Sequence, residues 1–87
     1  MHETSLIPDL MEKISRVARE NGAERITSVE LVIGALAAIS PDHLREHFDE
    51  AAAGTPAEGA QLRISVAEDP MAEDAFAIRL VAVEVET

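Results

Sequence analysis

Cysteine is absent from this 87-residue chain, which removes disulfides, thiolate zinc sites, iron–sulfur clusters and thiol catalysis together. Tryptophan and tyrosine are absent too, and Phe48 and Phe76 are the only phenyl rings, so a core must be built from Ile, Leu, Val and Ala. Cationic side chains are scarce. Seven Lys plus Arg stand against 17 Asp plus Glu, for a net charge of −10. Such a surface repels phosphate backbones and anionic lipid, which argues against nucleic-acid and membrane partners and leaves cations or a basic protein surface. The same charge also serves plain solubility. No apolar run is long enough to span a bilayer, and the N-terminus lacks the basic and apolar regions of a leader, so the cytoplasm is the expected compartment. Glycines 22, 34, 54 and 59 are too scattered for a phosphate loop. Serines 5, 15, 28, 40 and 65 lack a nucleophile-elbow setting, and no carboxylate pair is placed to split its pKa values. No enzyme is expected.

What the chain does contain is periodicity. Hydrophobic residues make up 47% of it, enough for one small packed domain. Leu6, Ile7, Leu10, Met11, Ile14, Val17 and Ala18 recur at helical spacing. Thr4 or Ser5 can cap the start, Pro8 falls in the first turn, and Asn21-Gly22 supplies a stop; the spacing predicts a helix over 5–21. Val29, Leu31 and Ile33 alternate with Ser28 and Glu30, a strand over 25–33 with one buried face. An apolar connector, 35–39, leads to Ser40-Pro41-Asp42, a helix start with Leu44, Phe48, Ala51 and Ala52 inward, over 41–53. Leu62, Ile64 and Val66 alternate inward in a strand over 61–67. The acidic stretch 67–75, with Pro70, reads as a flexible turn. The last strand, 76–86, is apolar on both faces, with Ile78, Leu80 and Ala82 opposed to Val81, Val83 and Val85. Such a strand lies centrally, bends at a bulge, or buries its second face on another copy.

The order helix, strand, helix, strand, strand gives an α+β fold: a two-layer sandwich with two helices on one face of a three-stranded mixed sheet. The strand–helix–strand unit should cross over right-handed with parallel strands. The final strand pairs either with its predecessor as a hairpin or with the first strand. Three strands leave free edges, so a homodimer through a strand edge is plausible.

Two places carry candidate metal chemistry. Met1-His2-Glu3 offers four nitrogens: the α-amine, the imidazole of His2, and the main-chain nitrogens of His2 and Glu3. A planar nitrogen-rich set suits Ni(II) or Cu(II) better than tetrahedral Zn(II). The plainer alternative is an ordinary terminal histidine in water. His43 and His47, four apart on the second helix beside Asp42, Glu46 and Glu50, form the second candidate set, against the alternative of a solvated helical face.

These residues also resemble a known family. Met1-His2-Glu3-Thr4-Ser5-Leu6 is similar to the opening of the HypA/HybF nickel chaperones of hydrogenase and urease maturation, which typically begin Met-His-Glu, any residue, Ser-Leu. The likeness continues through Gly22-Ala23, the strand ending Ile33-Gly34, Leu44-Arg45 and Phe48. It then runs along the block from Gly54 to Leu62 and returns in the closing strand with Val83-Glu84-Val85-Glu86.

The resemblance implies a nickel-binding domain of the architecture just derived. The site it carries over is His2, with the Met1 amine and the backbone nitrogens of His2 and Glu3. Glu3 in that family also tunes the site or helps contact the precursor of the nickel enzyme. The implied function is a Ni(II) metallochaperone serving a [NiFe]-hydrogenase large-subunit precursor, with a nickel-delivery GTPase as partner. The alternative is a non-metal interaction module of the same fold. Two departures stand out. The family's zinc lobe, built on two Cys-x-x-Cys pairs between the second and third strands, is replaced by 67–75, so no structural zinc is expected. Ala35 stands where the family often has an acidic residue after Ile-Gly, and Asp42 lies two residues beyond a second such position at Ser40.

Overall fold

The computed structural model describes residues 6–86. Its elements are α1 (Leu6–Glu20), β1 (Arg25–Ile33), α2 (Pro41–Ala52), β2 (Gln61–Val66) and β3 (Ile78–Glu86). The architecture is the expected α+β sandwich. The sheet order is β2-β1-β3, with β1 central, parallel to β2 and antiparallel to β3. Of the two pairings left open for the last strand, it takes the one with β1.

The helical layer forms because each helix has one apolar stripe. Leu10, Met11, Ile14 and Ala18 of α1 and Leu44, Phe48 and Ala52 of α2 are buried against Ile26, Val29, Leu31 and Ile33 of β1 and Leu62 of β2. Phe48 provides the core's one aromatic ring. α1 ends in a Schellman arrangement: the N–H of Ala23 bonds to the carbonyl of Ala18 at 2.9 Å, and that of Gly22 to Arg19 at 3.1 Å. Gly22 takes φ 61 there, the left-handed conformation that a side chain disfavours. The Asn21 side chain donates to the Val17 carbonyl at 2.7 Å, which also accepts the Asn21 backbone N–H at 3.1 Å. α2 begins as its sequence dictates: Ser40 caps it, accepting the N–H of His43 at 3.2 Å, and Pro41 needs no helical donor. Arg45 reaches from α2 to the Leu62 carbonyl at 3.1 Å, tying helix to edge strand.

Two bulges decide which residues β1 and β3 bury. Thr27 is the extra residue of β1, lying between the pairs Ile26↔Val85 and Ser28↔Glu84, and its hydroxyl donates to the Glu84 carbonyl at 3.2 Å. Val81 is the extra residue of β3, between Ala82↔Glu30 and Leu80↔Leu31. The alternation expected for β3 therefore breaks at Val81. Ile78, Leu80, Val83 and Val85 all face the helices, while Val81 and Ala82 are exposed. The apolar residues on both sides of the simple pattern are thus one face displaced by a bulge.

β3 begins at Ile78 rather than at 76. The Ala77 N–H closes a turn onto the Asp74 carbonyl at 2.9 Å, and Phe76 stands in that turn, 73% exposed. The stretch 67–75 is a turn region closed onto the sheet by backbone hydrogen bonds. Ala67 donates to Ile33 at 2.8 Å, Gly34 donates to Ala77 at 2.8 Å, and Leu36 donates to Ala75 at 2.7 Å. Met71 N–H closes onto the Asp69 carboxylate at 2.9 Å, and Ala75 is buried. Gly34 is needed for this closure, because a β-carbon there would strike the Ala75 carbonyl and lie 2.6 Å from the Asp74 carbonyl oxygen. The connection from β2 to β3 is a fitted lid over the end of β1.

Candidate metal centre

The topology gathers several termini at one end of the domain. α1 returns along β1 after a four-residue turn, and α2 crosses between the parallel strands β1 and β2, so both helices run antiparallel to β1. Their first residues, Leu6 and Pro41, therefore lie at the end where β1 and β2 finish and β3 starts. The 34–40 and 67–77 connections lie there too. The primary candidate donors, Met1, His2 and Glu3, and the candidate caps Thr4 and Ser5, lie outside the described residues. What the described fold fixes is the platform they attach to: Ile7 packs against the core, and Leu10 and Met11 are buried behind it.

Neither acidic substitute for the family's auxiliary position is offered at Ala35 or Ser40. Ala35 is half-buried, and the Ser40 hydroxyl is engaged in capping α2. Asp42 is exposed in the first turn of α2, where its charge complements the helix N-terminus.

The second candidate set is described in full. His43 and His47 are both exposed, with ring centroids 4.6 Å apart and planes inclined by 17°. Asp42 does not join them: among the described residues, no three His, Asp or Glu side chains are grouped to hold a metal ion. The reason is helical geometry. Asp42 projects about 100° round the axis from His43, whereas His47 projects only about 40° from it. The sequence-derived set of three thus reduces to an imidazole pair.

One feature of this end was not anticipated. Leu36, Val66, Met71 and Phe76 are exposed large hydrophobics, and all four belong to the connections or strand end gathered there. The acidic residues Glu68, Asp69, Glu73 and Asp74 surround them in sequence, and Asp74 pairs with Arg79 at 3.4 Å. A phenylalanine directly following the acidic, proline-containing stretch was the available signal, obscured by its continuity with the apolar strand.

No zinc site of the two-Cys-x-x-Cys kind fits this chain. β2 and β3 are joined directly by 67–77, and the chain has no cysteine. Among the described residues, no helix is long and apolar enough to cross a membrane.

Comparison with known proteins gives a consistent set of likenesses. A family model described as "Hydrogenase/urease nickel incorporation, metallochaperone, hypA" matches residues 1–72. The hydrogenase maturation factor HypA of Chlorobium limicola is 52% identical over 64 residues, 74% of this chain and 55% of that one. HypA of Methanopyrus kandleri is 42% identical over 66 residues, 76% of this chain and 46% of its own length. The chain thus spans about half the length of the curated relatives it matches. Among solved structures, the solution structure of the Ni metallochaperone HypA from Helicobacter pylori superposes with a TM-score of 0.76 at 21% identity, covering 98% of this chain and 97% of that one.

Proposed function

Because the chain belongs to the HypA family of hydrogenase/urease nickel-incorporation metallochaperones, we propose that it binds Ni(II) at its N-terminal residues and delivers it for [NiFe]-hydrogenase maturation. The observation that carries this reading is that the family match begins at residue 1 and runs through His2. The His2 imidazole, the main-chain nitrogens of His2 and Glu3, and the Met1 nitrogen as a free amine form the donor set. Four nitrogens around one ion favour a planar or tetragonal cation, and Ni(II) meets that preference where Zn(II) does not. Nickel is cargo in this reading, so the set must also let go. Each donor nitrogen that is protonated on release lowers the retained affinity, giving a receiving site a route to take the ion. The receiver is the hydrogenase large-subunit precursor, with a nickel-delivery GTPase assisting, in the cytoplasm. Glu3 lies beside the donors and adds a carboxylate to the surface that meets the precursor.

Titration of untagged protein with Ni(II), beside the His2→Ala variant and with Zn(II) as competitor, tests this directly. One equivalent of nickel should bind tightly to the wild type, and that tight component should vanish in the variant. Extending the N-terminus by a tag should weaken it likewise, since the amine becomes an amide. Unchanged nickel affinity in His2→Ala would remove the site assignment.

A further inference from the structure

α2 carries two of the three histidines in the chain, one helical turn apart on its solvent face. We infer that His43 and His47 form a two-imidazole capture site for a borderline divalent cation of the Ni(II) or Cu(II) class, separate from the N-terminal donors. Imidazole suits both ions, and both tolerate water in their remaining positions. Nitrogens bound to one metal at about 2.1 Å, at right angles, are about 3 Å apart. Rings whose centroids are 4.6 Å apart reach that spacing by modest side-chain rotation, and exposure leaves both rings free to make it.

The surroundings favour a cation. Asp42, Glu46, Asp49 and Glu50 give α2 four carboxylates, and its single cationic side chain, Arg45, is turned away to the Leu62 carbonyl. Glu46 and Glu50 project about 60° and about 20° from His43 round the helix axis, on the side away from His47, so they flank the pair and add negative charge beside a bound ion. The helix N-terminus opposes positive charge at His43, and Asp42 and Glu46 offset it. Because no third donor is grouped with the pair, two coordination positions are protein and the rest are water. Such a site exchanges quickly. It holds a cation near the end of the domain where α1 begins at Leu6, so it can gather the ion without sequestering it. The site rests on α2 alone and does not depend on the N-terminal reading.

The test uses the untagged full chain as wild type, His2→Ala, and His2→Ala combined with His43→Asn or His47→Asn. Ni(II) alone is titrated at equilibrium, and substoichiometric Cu(II) alone is used to broaden backbone amide signals. In His2→Ala, one weaker nickel site should remain, and copper should first broaden the amides of α2 around residues 43–50. Either Asn substitution should weaken that site about tenfold or more, because the second imidazole acts at high effective concentration. Broadening spread over the carboxylates, or a loss below about threefold from either substitution, would overturn the chelating pair in favour of a solvated face. Complete loss of nickel binding in His2→Ala alone would also overturn it while leaving the N-terminal site intact. If His2→Ala titrates like the wild type and the Asn variants abolish binding, the capture site stands and the N-terminal assignment fails.

Discussion

Replacing Gly34 by alanine should damage this domain far more than the added methyl group suggests. The φ of Gly34 is not positive, so the backbone would accept alanine; the obstacle is the close approach of the 67–77 lid. All three atoms nearest the new β-carbon are main-chain atoms of Asp74 and Ala75, which cannot rotate away as a side-chain tip would. The lid must lift. Lifting it strains or breaks the hydrogen bonds from Gly34 to Ala77 (2.8 Å) and from Leu36 to Ala75 (2.7 Å), and partly uncovers Ala75. Two hydrogen bonds at about 1 kcal/mol each, with a partial loss of methyl burial, give about 2–3 kcal/mol. Alanine returns about 0.4–1 kcal/mol by restricting the unfolded chain, leaving a net loss of about 2 kcal/mol. For a domain of this size that is a fall in Tm of about 8–16 °C. Urea denaturation followed by circular dichroism measures it. The internal control is Gly59→Ala, at φ 80 with nothing within 4 Å of the added carbon, where only the left-handed conformation is penalised, by about 1 kcal/mol. A Gly34→Ala variant no less stable than Gly59→Ala would refute the fitted-lid argument.

The two phenylalanines should behave oppositely. Phe48→Ala should cost about 3–5 kcal/mol in urea unfolding, whereas Phe76→Ala should change stability by less than about 0.5 kcal/mol. Along β3, Val81→Lys should be tolerated within about 1 kcal/mol, because the bulge turns that residue outward. Val83→Lys, two positions on and packed against the core, should cost several times more; equal effects would contradict the bulge. Ser40→Ala should lose about 1 kcal/mol through the missing acceptor for the His43 N–H, read as a lowered urea midpoint with an unchanged slope. Nickel affinity should fall as pH drops through about 8 to 6, since an α-amine titrating near 7.7–8.0 and an imidazole near 6.5 must both be deprotonated to bind. A pH-independent titration over that range would exclude both as donors.

The difference between what was legible in the sequence and what was not follows from the range of the forces involved. The helices were legible because their signals are local: Ser40-Pro41-Asp42 caps α2 within one turn, and Asn21-Gly22 ends α1 within two residues. The core was legible in β1 and at Leu62 because alternation alone marks Val29, Leu31, Ile33 and Leu62, but the same alternation placed Val66 inward and it is exposed at the strand's end. In β3 the doubly apolar pattern left a bulge as one of three readings, and the structure takes it, at Val81. The bulge exists only in the pairing with Glu30 and Leu31, some fifty residues earlier. Thr27, the other bulged residue, is anchored to Glu84 across 57 positions. The closure of 67–77 onto β1 was not legible for the same reason, since its acidic, proline-containing composition says nothing about hydrogen bonds to Ile33, Gly34 and Leu36.

The candidate metal donors divide along the same line. The N-terminal set needs no fold to be recognised, because its four nitrogens lie within three consecutive residues, and the His43/His47 pair needs only helical spacing. Asp42 was joined to that pair by nearness in sequence, whereas round the helix it projects about 100° from His43 and His47 only about 40°. The lid bears on the function as well. Its hydrogen bonds to the end of β1 close the connection from β2 to β3 through the backbone, beside a core that is wholly apolar side-chain packing. On the proposed nickel reading, the core packs without the N-terminal donors, so chelator should strip Ni(II) and leave the unfolding transition of the domain in place; loss of that transition with the metal would refute the separation.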